Sequence, residues 1–314
     1  MKIEHKHIRQ WLLPVPAVLL LTLLVPAGCS DDSGTGSDGH SGTGEREVVL
    51  RILPETFSAD STFSDSLFFA KGNKSNRYTE LWKARFNASG RVRLAVPTYY
   101  PSGGNRIYLR GFAPEGELSD SGEIAYRIDG RQDIRVSGEQ SGSLADPFWQ
   151  ESKAFELDHL LTQLRFRLRL DKGMEPVSPD SYKLRLLAVD SVQCDAILSL
   201  KDRRLSFGGN KGRLIACGRP EEVPLPLDTA WTELPGAVMI QPSVPVFLAV
   251  ALEDGQGRMV HYEQLPVVFR EADNRSVPGV SYLLSVTLRV QGTVGLSVSV
   301  VEWLEGSSGV GIIY

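Results

Sequence analysis

The stretch LLTQLRFRLRL, residues 160–170, alternates apolar and basic side chains at intervals of two from Leu164 onward. Successive side chains of a β-strand point to opposite faces. The stretch therefore predicts a strand with a buried Leu and Phe face and a solvent face that carries Arg165, Arg167 and Arg169. Three arginines in a row are able to contact phosphates, but the chain has 34 Lys and Arg against 38 Asp and Glu, a formal charge of −4. Because nucleic-acid-binding proteins usually show a basic balance or a base-stacking motif, we expect a solvated strand face and no nucleic-acid partner.

The same period of two recurs along the chain, between 30 Gly and 18 Pro residues that mark many turns. In residues 280–300, apolar side chains occupy alternate positions on both sides of Gly292, which predicts a hairpin. Residues 81–97 predict two strands joined at Asn87–Gly90. The best helix candidate is PFWQESKAFELDHLL, residues 147–161, which predicts a short helix at most. Many short strands without alternating helices favour an all-β protein built from antiparallel β-sandwiches.

The first 28 residues predict a lipoprotein signal peptide. A basic segment precedes an apolar run from Trp11 to Ala27, which is too short and too rich in proline for a comfortable membrane span. The sequence AGC that ends at Cys29 resembles the lipobox of bacterial lipoproteins, although Pro26 stands where that motif prefers Leu, Val or Ile. An ordinary signal peptide with a chance cysteine is the alternative. We predict that Cys29 is lipidated and anchors the chain in the outer membrane, because several acyl chains together provide stable anchoring.

The segment SDDSGTGSDGHSGTGERE, residues 30–47, contains no apolar residue. It cannot contribute to a core, so residues 29–45 are predicted to form a flexible tether. Its acidic start resembles the export signal of surface lipoproteins in Bacteroidetes. About 270 residues remain, enough for one large or two medium domains. The turn-rich segment SGSLADPFWQES, residues 141–152, places a boundary near residue 150, so the predicted domains are 46–150 and 151–314.

The sequence carries no recognisable pattern for catalysis, cofactor binding or metal binding. His159 and His261 lack a nucleophile elbow and metal-ligand spacing, so both are interpreted as structural. GGNKG, residues 208–212, lacks the strand–loop–helix setting of a phosphate loop and predicts a hairpin turn. Cys194 and Cys217 could form a disulfide outside the cytoplasm, but nothing fixes their register, and we favour free thiols. We expect no cofactor, no metal and no enzyme activity, although a hydrolase with acids distant in sequence stays open.

GRVRLAVPTYYPSGGNRIYLRGFAPEG, residues 90–116, contains a Gly-x-Val-x-Leu-x-x-Pro strand, a Tyr-Pro turn and an Ile-Tyr strand. This order resembles that of the Bacteroidales fimbrillins, the type V pilins and their Mfa-like relatives, and further motifs follow along the chain. YRIDGRQDIRVSG (126–138) resembles the next motif, with Arg135 where an apolar residue is commoner. FELDHLLTQLRFRLRL (155–170) resembles a third, with one extra residue before His159. Residues 277–306 resemble the closing strand and hairpin, so the resemblance covers most of residues 46–306.

The resemblance implies two transthyretin-like antiparallel β-sandwich domains and a structural function without catalysis. Fimbrillins are stalk, tip or anchor subunits of surface fimbriae that support cell adhesion. They join other subunits by strand donation, in which main-chain hydrogen bonds give affinity and alternate side chains give register. The candidate donor is the C-terminal tail, with Val310, Ile312, Ile313 and Tyr314. The alternative is that this tail docks on its own sandwich as an edge strand, because edge strands are normally covered or paired.

The first strand, near residues 47–53, is a second exchangeable strand under the same resemblance. In stalk subunits an Arg- or Lys-specific protease removes N-terminal residues to open the groove, and Arg46 and Arg51 are the candidate processing sites. An untrimmed tip or anchor subunit is equally compatible with the sequence. The alternative function is a monomeric surface lipoprotein that binds a glycan or a host protein, with Tyr99, Trp149 and Trp231 as candidate aromatic platforms.

Overall fold

The computed structural model describes residues 46–53, 65–87, 89–173, 181–269, 275–289 and 294–301. The predicted signal peptide, the tether with Cys29, and the candidate donor residues Val310, Ile312, Ile313 and Tyr314 lie outside these ranges. The part of the chain that the structure describes contains no helix long and apolar enough to cross a membrane.

The described chain is all-β, with one short 3₁₀ helix at Glu151–Lys153. The strands are β1 Leu50–Arg51, β2 Asp65–Gly72, β3 Glu80–Phe86, β4 Arg91–Leu94, β5 Ile107–Ala113, β6 Glu123–Arg127, β7 Arg135–Gly142, β8 Leu157–His159, β9 Thr162–Leu170, β10 Tyr182–Gln193, β11 Asp195–Ser199, β12 Arg204–Phe207, β13 Lys211–Cys217, β14 Leu225–Pro226, β15 Thr232–Glu233, β16 Val238–Ile240, β17 Val246–Asp254, β18 Met259–Val267, β19 Ser281–Leu288 and β20 Gly295–Val301.

These strands form four sheets. Sheet 1 has the order β1-β4-β3-β2-β5-β7-β8, and sheet 2 has the order β13-β10-β17-β18 with β14 on β10. Sheet 3 is β12-β11-β6, and sheet 4 is β15-β9-β19-β20 with β16 on β9. All the strand pairs are antiparallel except β9 with β19, which run parallel. The antiparallel β-sandwich architecture predicted from the sequence is confirmed.

Two apolar cores hold these sheets together. The smaller core belongs to sheet 1 and its flanking segments, and its buried residues run from Val48 to Leu157. The larger core draws residues from all four sheets, from Phe68 to Leu288. The run LFFA, residues 67–70, contributes alternately to both cores, which explains why β2 is apolar on both of its faces. The pairing of β6 with β11 joins strands from either side of residue 150. The domain boundary at that residue stays a prediction.

Local predictions from the sequence met different outcomes. The hairpin around Asn87–Gly90 is confirmed, with Gly90 at a φ of 74° that favours glycine. The hairpin within residues 280–300 is confirmed as β19 and β20. The predicted hairpin turn at GGNKG is wrong, because β12 pairs with β11 whereas β13 pairs with β10. This glycine-rich segment instead leads the chain from sheet 3 to sheet 2.

Candidate strand-exchange site

The segment that contains β1 is bonded along both of its edges. On one side β1 pairs with β4, and the Val48 amide donates to the Thr98 carbonyl at 2.7 Å. On the other side the Leu53 amide donates to the Phe155 carbonyl, and the Phe155 amide donates to the Arg51 carbonyl, both at 2.9 Å. Because Phe155 lies just before β8, the last strand of sheet 1, this segment joins the two edges of that sheet.

The side chains of the same segment alternate between core and surface. Val48, Leu50 and Ile52 are 3%, 0% and 3% exposed and belong to the smaller core. Val49 is 40% exposed, and Arg51 is exposed beside it. This is the period of two that buries one face of a strand. The inward residues cover Phe69 and Phe155, whose rings form an edge-to-face pair with centroids 4.9 Å apart.

The two candidate processing residues lie on this segment. Arg46 is exposed, its carbonyl accepts from the Tyr100 amide at 3.1 Å, and its guanidinium lies 5.5 Å from the centroid of Trp149. Arg51 forms a long ion pair of 3.8 Å with the exposed Glu151. Both side chains are accessible at the surface of a hydrogen-bonded strand. Cleavage at either position stays a prediction.

A salt-bridged turn supports the region next to this segment. The Lys153 ammonium donates to the Asp146 carboxylate at 2.6 Å and to the Ser141 carbonyl at 2.8 Å. Arg106 lies 2.9 Å from the same carboxylate. The hydrogen bond from Lys153, with a smaller one from Arg106, lowers the pKa of Asp146 below its ordinary value despite some desolvation. The turn precedes Phe148, which completes the smaller core.

The arginine row of residues 165–169 is a strand face as predicted, but it is not a freely solvated one. All three arginines are half-buried on β9. The Nε of Arg167 donates to the Ser285 hydroxyl at 2.7 Å, and the Nε of Arg169 donates to the Thr287 hydroxyl at 3.2 Å. Both guanidinium groups lie close to the Trp231 ring, 4.6 Å and 4.3 Å from its centroid. The expectation of a solvated row is therefore wrong, because a tryptophan from outside the strand packs against it.

The remaining candidate groups occupy separate places. Cys194 and Cys217 are free thiols, as favoured from the sequence, and burial raises the pKa of both. The Nδ1 of His159 lies 2.8 Å from the Asp133 carboxylate in a half-buried contact, while His261 is exposed on β18. In the described ranges, no three His, Cys, Asp or Glu side chains are arranged to hold a metal ion.

Two features of this region were not predicted from the sequence. The pairing of Phe155 with the first strand is a contact between distant segments, which local patterns do not encode. The cross-strand pair of Arg85 and Arg93 follows directly from the register of the β3–β4 hairpin. The predicted turn at Asn87–Gly90 would have been enough to find that pair.

Solved structures from Bacteroides and Parabacteroides have a similar fold. A candidate cell adhesion protein of Bacteroides uniformis matches with a TM-score of 0.60 and 14% identity over 83% of this chain and 98% of its own. A fimbrial protein of Bacteroides vulgatus matches with a TM-score of 0.52 and 11% identity over 82% of this chain and 100% of its own. A candidate cell adhesion protein of Parabacteroides distasonis has a TM-score of 0.52 and 7% identity over 81% and 96%.

The chain has the fold of Bacteroidales fimbrial and adhesion proteins. This agrees with the fimbrillin-like motifs found in the sequence. No protein-family model and no curated protein sequence matches the chain. At these identities the similarity describes the fold, and the function has to be argued from the residues.

Proposed function

We propose that the chain is a structural or accessory subunit of a surface fimbria, as stalk, tip or anchor, and supports cell adhesion without catalysing a reaction. Its partners are other fimbrial subunits, which it joins by β-strand exchange, and the outer membrane, which it reaches through lipid on Cys29. Support comes from the fold, which is shared with a protein named as fimbrial, and from the first strand.

The observation that carries the proposal is that the first strand is paired along both of its edges. It buries Val48, Leu50 and Ile52 and is hydrogen-bonded on both sides, to β4 and to Phe155. Removing it would uncover the smaller core and leave unpaired backbone groups along two facing edges. Such a groove has a high affinity for an incoming strand, because buried backbone donors and acceptors need partners.

The C-terminal tail has the pattern that this groove requires. Val310, Ile312 and Tyr314 are apolar at intervals of two. Val48, Leu50 and Ile52 have the same spacing on the strand that would be replaced. An extended tail would therefore place three apolar side chains on one face, where they match the three pockets left by the first strand.

Alternate substitutions in the tail test the proposal. Ile312→Asp places a charge on the inward face of a donated strand, whereas Ile313→Asp places the same charge on the outward face. Under strand donation, Ile312→Asp and deletion of residues 307–314 remove the protein from the heat-labile high-molecular-weight ladder on unboiled gels. Ile313→Asp keeps most of the ladder. The measurement is the ladder intensity relative to folded monomer in the same cells.

Two results would contradict strand donation by this tail. One is a normal ladder from stably folded chain that lacks residues 307–314. The other is an equal loss of the ladder in both aspartate variants together with a lower melting temperature of the monomer. That second result would mean that the tail completes its own sandwich as an edge strand, which is the common way of covering an edge.

A further inference from the structure

Sheet 1 carries exposed cations at the edge of the sheet that contains the first strand. These cations lie on three adjacent strands, β1, β4 and β3, and we name them the basic face: Arg51, Lys83, Arg85, Arg91 and Arg93. The register places Arg51 directly opposite Arg91, and Arg93 directly opposite Arg85. All five side chains are exposed, on the opposite side of the sheet from the smaller core. Lys83 borders the larger core, with its ammonium 5.4 Å from the centroid of Phe68, so the four arginines form the part of the face farthest from that core.

Three carboxylates lie on or beside this face: Glu115, Glu151 and the exposed Glu47, which lies on the same side of the first strand as Arg51. Lys83 lies 3.4 Å from Glu115, and Arg51 lies 3.8 Å from Glu151, whose side chain is 91% exposed. Within the described ranges, Arg85, Arg91 and Arg93 form no ion pair. Like charges directly opposite each other destabilise a sheet. Two such pairs side by side leave a local excess of positive charge, which a surface rich in negative charge would neutralise.

Exposed apolar and aromatic side chains border the basic face. Val49 and Tyr99 are 40% and 48% exposed. Glu47, Val49 and Arg51 alternate onto one face of the first strand. Because Tyr99 is bridged to Glu47, it lies on this face as well. Val96, in the turn after β4, is 72% exposed. Cations next to exposed Tyr and aliphatic residues are typical of surfaces that contact the headgroup region of a membrane.

We propose that the basic face docks on the phosphate-bearing headgroups of the membrane surface to which the chain is tethered. This proposal rests on the proposed anchor at Cys29. If residues 29–45 form the flexible tether predicted from the sequence, a chain of about 17 residues has an average span of roughly 20–25 Å, which would keep the first strand close to that surface. Four arginines spread over three adjacent strands suit a surface of many phosphates better than one small ligand. Docking of this kind assigns the chain a membrane-proximal position, as an anchor subunit.

Vesicle binding by unlipidated protein tests the docking without requiring a lipid anchor or a polymer. The chain from residue 29 onward with Cys29→Ser is suitable, because both described cores begin after residue 47 and remain complete. We expect it to co-float with vesicles of phosphatidylcholine that contain phosphatidylglycerol, but not with phosphatidylcholine alone. The combined change of Arg85, Arg91 and Arg93 to Gln should weaken this binding at least tenfold, and added salt should do the same.

A matched variant separates position from total charge. The combined change of Arg77, Arg127 and Arg204 to Gln removes the same charge from exposed sites outside the basic face and should leave vesicle binding within about twofold. Equal losses in the two triple variants, or no binding to anionic vesicles, would overturn the proposal. Binding to soluble heparin without binding to anionic vesicles would also overturn it, in favour of a soluble polyanion. None of these outcomes depends on the fimbrial ladder, so the two proposals fail separately.

Discussion

Ile52 and Phe155 face each other in a parallel bridge that joins the two edges of the seven-stranded sheet. Both side chains are buried in the smaller core, at 3% and 1% exposure. The bridge makes the first strand the closing element of the sheet rather than an ordinary edge strand. Its loss would therefore create two edges at once, which is the geometry that strand exchange requires.

Substitution of Leu50 tests how strongly this closing strand is held by its core side chains. Leu50 is fully buried, so Leu50→Ala should lower the free energy of unfolding by about 2–5 kcal/mol. Val49→Ala, on the exposed face of the same strand, should change it by less than about 0.5 kcal/mol. Urea unfolding of both variants measures the difference. Similar values for the two would show that the strand is not held by its inward face.

The sequence predicts the strands better than it predicts how distant strands meet. Alternation in residues 160–170 and 280–300 identified β9 and the last hairpin, because a period of two is a local property. Their parallel pairing, with Leu164 beside Tyr282, depends on a contact across the whole second half of the chain. The bridge from Ile52 to Phe155 was missed for the same reason.

Residue-level predictions failed where a partner came from another element. The sequence predicts a solvated side chain for Arg167, but this side chain is half-buried because Trp231 packs against it. Residues 208–212 do not form the predicted hairpin turn. They connect sheet 3 to sheet 2, because β13 pairs with β10. Part of the basic face, in contrast, could have been predicted from the sequence. The position of the turn at Gly90 sets the register of the hairpin, and this register places Arg85 opposite Arg93.

Labelling of Cys29 tests the membrane anchor directly. The short apolar run that ends in AGC at this cysteine predicts an acylated mature N-terminus. Cells grown with a clickable fatty acid should therefore label the wild-type protein, and Cys29→Ala should lose the label. The free thiols Cys194 and Cys217 provide the control, because their replacement by Ala should leave the label unchanged. Equal labelling of wild type and Cys29→Ala would refute the anchor.

Asp146 should make the stability of the protein depend on pH in the acid range. Its pKa is lowered in the folded protein, first through the hydrogen bond from Lys153, from an ordinary value of 3.8. A lowered folded pKa contributes stability at pH above 3.8, which is lost as the pH falls through the folded pKa. Asp146→Asn should therefore melt at a lower temperature than wild type at pH 7, and the difference should shrink below pH 3.8. A constant difference from pH 7 to pH 2 would contradict this role.

The contacts of Arg167 and Arg169 with Trp231 predict that these arginines stabilise the fold. Each guanidinium lies within cation–π distance of the ring and donates to a hydroxyl on β19. The combined change of both to Gln should cost about 1–2 kcal/mol in the free energy of unfolding. Arg165→Gln, on the same face, should cost less than about 0.5 kcal/mol.

In a background of Trp231→Ala, the cost of the double change should fall by at least half, because the shared ring is already gone. Equal costs in both backgrounds would show that the ring contributes nothing and that the hydrogen bonds to Ser285 and Thr287 account for the stabilisation.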